Sequence, residues 1–144
     1  MIKLFALSIL GVTLLTQPIH AQSAEQLHQT AKSFMKQGDY ANAVLVLNKS
    51  LQIAPDNMSI AKDLAMSYYF QKDNTKALET IKPLLDGEDA DDQCYQIAGN
   101  IYKQLEQTKE SEKLFRKGIK KFPASGAMYN ELGEILWTQQ DYAA

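Results

Sequence analysis

An all-α solenoid of antiparallel helix pairs, about 3.5 units long, is the fold this sequence predicts. Three observations predict it. A pattern of small and large apolar residues returns every 34 residues without insertion. Within each period the apolar residues recur three and four places apart, as on one face of a helix. Capping residues and tight-turn residues punctuate each period at closely matching places. Self-similarity at such a period is the mark of one small unit stacked on copies of itself.

The repeat is plainest in GDYANAVLVLNKSLQIAP, residues 38–55. Ala43 and Leu47 map onto Ala77 and Ile81 one period on, and onto Ser111 and Phe115 after two; Pro55 reaches Pro123. The half before it repeats as well. Leu27, Thr30, Ala31 and Phe34 become Ala61, Leu64, Ala65 and Tyr68, then Tyr95, Ala98, Gly99 and Tyr102. Tyr129, Leu132, Gly133 and Leu136 open a fourth copy. Each unit therefore reads as two amphipathic helices of about 12–14 residues. Small residues at 31, 65, 99 and 133, with Ala43 and Ala77 opposite, fall where the two helices cross closely. A large side chain there would force them apart. The aromatic at 34, 68 and 102 fills the space beside the crossing.

Helix boundaries follow from local chemistry. Ser23, Asn57, Asp92 and Ser125 suit the N-cap of each first helix, where a side-chain oxygen accepts from an unpaired backbone N–H. Gly38-Asp39, Asp73-Asn74 and Asp141 suit the turn inside the unit. Pro55 and Pro123 stop the second helices. Pro83 falls inside the second helix of unit two, where a kink or an early loosening is expected. The acidic link GEDADD, residues 87–92, lacks the alternating ligands and distal Glu of a calcium loop and reads as helix capping in a solvated loop.

The aromatic-x-x-Leu-Gly-x-x-Tyr pattern, followed by Ala-x-x-x-Phe and then Pro, resembles the tetratricopeptide repeat. The third copy matches it best, and the second has Asp89 in place of the Pro. The resemblance covers nearly all of residues 24–144. It divides them into repeats at 24–57, 58–91 and 92–125 and the first helix of a truncated fourth at 126–144. It implies a right-handed superhelix whose first helices line a concave face that binds an extended peptide or a partner helix. By position, the inward places are Glu25, His28, Lys32 and Met35; Ser59, Lys62, Met66 and Tyr69; Gln93, Gln96, Asn100 and Lys103; and Ala127, Asn130, Glu134 and Trp137. From these the candidate groove is Lys32, Lys62, Met66, Tyr69, Gln96, Asn100, Lys103, Asn130 and Trp137. The lysines would meet carboxylates, the Asn side chains peptide backbone, and Tyr69 and Trp137 apolar anchors. Met66 and Ser59 stand where the family's clamp for a chaperone's C-terminal carboxylate wants polar or basic groups, so that ligand is not implied.

The start of the chain differs in kind. MIKLFALSILGVTLLTQPIHAQ has one charge, Lys3, an apolar run over residues 4–15, a Gln-Pro break and a small residue, Ala21. That is a secretory signal pattern with cleavage expected after Ala21. The run is shorter than the roughly 20 residues a membrane span needs. The expected location is therefore exported, periplasmic or secreted, with no stable membrane span after cleavage. The single Cys94 can form no internal disulfide. It reads as a buried small helix residue, since Asp91 and Asp92 disfavour a thiolate.

Composition narrows the function. The 144 residues are 45% hydrophobic and 22% charged, with a net charge of −2. No basic cluster interleaved with aromatics appears, which argues against nucleic acid. Beyond His20, lost with the leader, only His28 remains, so no nucleophile–base pair or multi-His metal site can be assembled. No Gly-rich phosphate loop is present. Glu110 with Glu112 and Glu131 with Glu134 read as solvated helix faces. The expectation is a non-catalytic protein-interaction scaffold with no cofactor and no metal. Its partner would be a protein or peptide. The alternative is an N-terminal spacer, oligomerisation or substrate-presenting module of a longer exported protein whose functional domain lies beyond Ala144. The last helix, lacking a capping partner over Tyr129, Leu132 and Leu136, offers a face for self-association.

Overall fold

The computed structural model describes residues 22–141. Residues 1–21, where the secretory leader is expected, and residues 142–144 lie outside them. Seven helices follow one another: α1 (Ala24–Lys36), α2 (Tyr40–Ile53), α3 (Met58–Phe70), α4 (Asn74–Leu85), α5 (Asp92–Gln104), α6 (Thr108–Lys121) and α7 (Gly126–Asp141). They pair as α1/α2, α3/α4 and α5/α6, with α7 docked on α6, and the first helices α1, α3 and α5 are neighbours. The result is the expected right-handed solenoid of helix pairs. All regular structure among the described residues is helical.

Small residues allow each pair to close. Ala31 faces α2, Ala43 faces α1, and Ala65 and Ala77 repeat the arrangement; all four are fully buried. In the third pair a glycine makes the room. A Cβ on Gly99 would stand 2.4 Å from Cζ of Phe115, so the absent side chain is the space the ring occupies. Ser111, one turn before Phe115, donates its hydroxyl to the Gly99 carbonyl at 2.9 Å. Gly118, which no repeat motif singled out, plays the same part between units: a Cβ there would meet Met128 Sδ at 2.5 Å and Tyr95 Cβ at 2.9 Å. Leu47, Ile81 and Phe115 occupy equivalent core places and are fully buried. The aromatic of the pattern is Phe34, Tyr68 and Tyr102 in turn, each half-buried beside its crossing.

The turns inside the pairs are copies of one another. Gly38, Lys72 and Glu106, one period apart, all adopt left-handed backbone, with φ of 74°, 65° and 59°. The following N–H closes each turn onto the aromatic of the pattern: Asp39 to Phe34, Asp73 to Tyr68 and Gln107 to Tyr102, at 2.9–3.0 Å. Asp39 and Asp73 then cap α2 and α4 through their carboxylates, whereas Gln107 makes no such bond for α6.

Two boundary expectations, at Asp92 and Asp141, need correction. Asp91, not Asp92, caps α5, accepting from the Cys94 N–H at 3.1 Å; Asp92 is the first helical residue. The cap that keeps the 34-residue phase of Ser23 and Asn57 is thus the one used. Ser125 precedes α7, and its hydroxyl partners Gln96 Nε2 at 3.2 Å. Asp141 forms no turn, because α7 continues through it. Pro83 acts as expected. It has no N–H to give and crowds the preceding turn, and α4 ends at 12 residues where α2 and α6 run to 14.

The crossing and the open end make opposite predictions for one substitution at equivalent places. Gly99→Ala should destabilise the fold by about 1–3 kcal/mol, because its methyl has no room against Phe115. Gly133→Ala should stabilise it by up to about 1 kcal/mol, the helix-propensity gain, since nothing lies within 4 Å of a Cβ at Gly133. Urea unfolding of both variants checks this; equal effects would refute the crossing as the site of tight packing.

Candidate peptide-binding groove

The inner side of α3 and α5 carries a ladder of polar bridges between successive units. His28 on α1 is only 2% exposed, and its Nε2 lies 2.7 Å from Asp63 Oδ2 on α3. Lys62, one period on from His28, pairs with the cap residue Asp91 and donates to Gln93 Oε1 at 3.0 Å. Gln96, one further period on, reaches Ser125, which stands in phase with Asp91. Lys103 on α5 donates to Glu131 and Glu134 on α7, both at 2.6 Å. Each first helix is thereby tied to the next by side chains of its inner side.

These bridges change the roles expected of several residues. Lys62 and Lys103 already hold carboxylates of their own chain. Glu131 and Glu134 are ion-pair partners and not merely a solvated face. Helix geometry alone does not reveal such pairs, because they link residues 28–31 places apart on different helices. Lys32 is half-buried and makes no ion pair among the described residues. Asn130 is exposed, and Trp137 is 70% exposed; neither lines the cavities described next.

Two adjoining cavities open along the α3–α5 face. The first, about 220 Å³, is lined by Lys62, Asp63, Met66, Tyr69, Gln93, Gln96, Ile97 and Asn100. The second, about 340 Å³, is lined by Tyr69, Lys72, Asn100, Lys103, Gln104 and Glu131. They share Tyr69 and Asn100 in their walls and are treated together as the candidate groove. The structure brings Lys62, Met66, Tyr69, Gln96, Asn100 and Lys103 to it, and leaves Lys32, Asn130 and Trp137 outside. Five groove residues lie beyond the inward row: Asp63, Ile97 and Glu131, which flank it on α3, α5 and α7, and Lys72 and Gln104. Lys72 enters from the left-handed turn between α3 and α4. The amide of Gln104 lies buried with neither its N nor its O hydrogen-bonded among the described residues. Position 104 closes α5, just beyond the inward row, so the motif carries no signal for it.

The groove's chemistry is that of a polar and apolar slot with balanced charge. Burial works against an ionised Asp91, but the Lys62 ammonium and the donors of Cys94 outweigh it and hold its pKa below the ordinary value. Burial likewise opposes a charged Lys103, and the two glutamates outweigh that, raising its pKa. Beneath the groove the buried Cys94 thiol is pushed up, chiefly by burial, and the Asp91 carboxylate adds to the shift, in keeping with the acidic neighbours read from the sequence. No group of three or more metal-ligating side chains occurs among the described residues. No helix among them is long and apolar enough to cross a membrane.

Two family models, both described as tetratricopeptide repeat, match residues 34–101 and 98–144. The chain is a tetratricopeptide repeat protein. Solved structures agree in fold. The first tetratricopeptide repeat domain of human RPAP3 aligns with a TM-score of 0.75 at 20% identity, over 82% of this chain and 93% of that one. The first such domain of Spaghetti (RPAP3), bound to the HSP90 peptide SRMEEVD, gives 0.74 at 23%, over 88% and 99%. The Sgt2 domain from Aspergillus fumigatus gives 0.76 at 19%, over 83% and 81%. At these identities the likeness is one of fold. No curated protein matches the chain in sequence.

The ion pair at the α3–α5 junction makes stability depend on acid. Asp91 has a lowered pKa when folded, so its contribution is present above the ordinary value of 3.8 and is lost as pH falls below it. Asp91→Asn keeps a competent cap and removes the charge. The urea midpoint of the parent should therefore fall more steeply than that of the variant between pH of about 5 and 2. Parallel curves would show that the Lys62–Asp91 pair contributes nothing.

Proposed function

We propose that this tetratricopeptide repeat protein is an exported, non-catalytic scaffold that binds an extended peptide segment of a partner along the α3–α5 groove. One observation carries the reading: the two cavities lie side by side on the α3–α5 face and share Tyr69 and Asn100 in their walls. Met66, Tyr69 and Ile97 offer an apolar seat. Asn100, whose amide makes no hydrogen bond within the described chain, can both donate to and accept from a peptide backbone. The buried Gln104 amide offers a second such partner. Lys72, exposed and without an ion pair among the described residues, is the cation left for an acidic side chain, since Lys62 and Lys103 are engaged. The Spaghetti domain bound to the peptide SRMEEVD supports the class of ligand for this fold. Export rests on the leader pattern of residues 1–21.

The groove reading is tested by capture from an envelope extract with residues 22–144, compared with Asn100→Ala and with Lys72→Glu. Both side chains are free of internal bridges, so the fold should be unchanged by circular dichroism. A groove ligand should be retained at least about fivefold less by Asn100→Ala, the effect of one lost hydrogen bond. Equal retention by parent and both variants would place binding elsewhere. The leader is tested separately: N-terminal sequencing of the chain recovered outside the cytoplasm should begin at Gln22, and an intact Met1 would refute cleavage.

A further inference from the structure

Resting on the groove reading above, we propose that the first cavity is a seat for a basic side chain, so that the bound segment places a Lys or Arg there. Asp63 is the acid in the wall of this cavity of about 220 Å³. Its Oδ2 lies 2.7 Å from Nε2 of His28. An ionised carboxylate only accepts, so His28 is the donor. The imidazole is buried on α1, whereas the Asp63 side chain keeps 27% of its surface exposed. The buried ring thus fixes the carboxylate through one oxygen. The other, Oδ1, makes no hydrogen bond among the described residues and stays available. No lysine of the chain pairs with it among those residues. Lys32, one turn along α1 from His28, makes no ion pair, and Lys62 is held by Asp91.

The rest of the wall is matched to a cation. Lys62 pairs with Asp91 and gives a further hydrogen to Gln93 Oε1, so its own charge is compensated. Gln96 spends its amide nitrogen on Asp92 at 3.1 Å and on Ser125 at 3.2 Å. Its Oε1 is left as an acceptor without a partner among the described residues, and Asn100 adds a second amide oxygen. Three acceptors, one of them charged, are therefore open to the N–H groups of an ammonium or guanidinium. The neutral donors that remain, on Gln93, Asn100 and Tyr69, suit a backbone carbonyl. Met66 and Ile97 supply apolar surface for the aliphatic stem of a Lys or Arg. Tyr69 supplies an aromatic ring, with Phe70 edge-on against it at 5.3 Å between centroids, that attracts a cation. An acidic side chain in this cavity would meet the Asp63 carboxylate instead. With Lys72 of the second cavity left for an acid, the segment carries charges of both signs, one in each cavity.

The test selects binders of the 144-residue chain from a displayed library of random peptides of about 12 residues, enough for an extended segment to run along both cavities. The strongest are then measured as labelled synthetic peptides by fluorescence anisotropy. Peptides whose capture is lost with Asn100→Ala should be enriched in Lys or Arg. Replacing the basic residue of such a peptide by Gln should weaken its binding to the parent by about tenfold or more, the effect of a lost charge-assisted hydrogen bond. The same replacement should leave binding to Asp63→Asn unchanged, a coupling that a merely structural Asp63 would not show. Asp63→Asn keeps an oxygen for the His28 N–H, so its melting curve should match the parent's. Added salt should weaken binding to the parent more than to this variant. Asn100-dependent peptides with no basic preference overturn the seat and leave the groove standing. A basic preference that survives Asp63→Asn also overturns it, since the acidic balance of the chain then attracts the cation from elsewhere. A library that yields no Asn100-dependent peptide overturns the groove reading, and the seat with it.

Discussion

The close crossing of the two helices in each unit is the contact on which the rest depends. It requires a small residue on both helices at the same height: Ala31 with Ala43, Ala65 with Ala77, Gly99 with Ser111. Because the backbones approach there, the large residue one turn later on the second helix is driven into the core. Leu47, Ile81 and Phe115 all lie with no exposed surface. The crossing also fixes which side of the first helix faces away. In a helix, a residue packed on one face leaves those about two places off on the other. That face carries Lys62, Met66, Tyr69, Gln96, Asn100 and Lys103, so the groove is a geometric consequence of where the small residues stand.

The 34-residue phase and the small–large pairs were legible in the sequence because they are local. They record the contact of one helix with the next in chain order, and the spacing within a single helix is enough to reveal them. The six groove residues that the structure brings together came instead from the resemblance to the repeat family, which implies the places of each first helix that look inward. The bridges His28–Asp63, Lys62–Asp91 and Lys103–Glu131 were not legible. Each joins two units through side chains long enough to reach several partners, and no spacing rule within one helix selects Asp91 over Asp92. Phase would have selected it: Ser23, Asn57 and Asp91 are 34 apart, and the same register relates Asp91 to Ser125. Lys72 and Gln104 fell outside the inward row because they enter the groove through the backbone of a turn and the end of a helix.

The bridges also alter what the groove can recognise. A lysine facing solvent attracts any carboxylate, but Lys62 and Lys103 are each held by acids from the following unit. Their charge is committed to stacking one first helix against the next, in surroundings where partial burial makes an unpaired charge costly. On the proposed reading, what remains for a ligand is neutral hydrogen bonding at Asn100 and Gln104, apolar contact at Met66 and Tyr69, and the single cation unpaired among the described residues, Lys72, at the edge. Such a slot discriminates through the length and shape of a backbone more than through net charge.

The units are equivalent in plan and unequal in execution, and the inequality has a direction. Unit one has Gly at its left-handed turn position and Asp at the following cap. Unit two keeps the Asp but places Lys72 in left-handed backbone. Unit three has Glu106 there and an uncapping Gln107. Left-handed backbone costs a residue with a Cβ roughly 1 kcal/mol or more, and a missing cap about as much again. The local turn energy therefore worsens toward α6. Packing runs the other way: the core around Tyr95, Phe115 and Ile101 is the larger of the two clusters, and at Gly99 the Phe115 ring fills the space a side chain would need. In a stack whose stability is a sum of unit and interface terms, α6 is held chiefly by what it covers. A substitution that loosens the cover over Tyr95 and Gly99 therefore loosens α6 before it loosens α2 or α4.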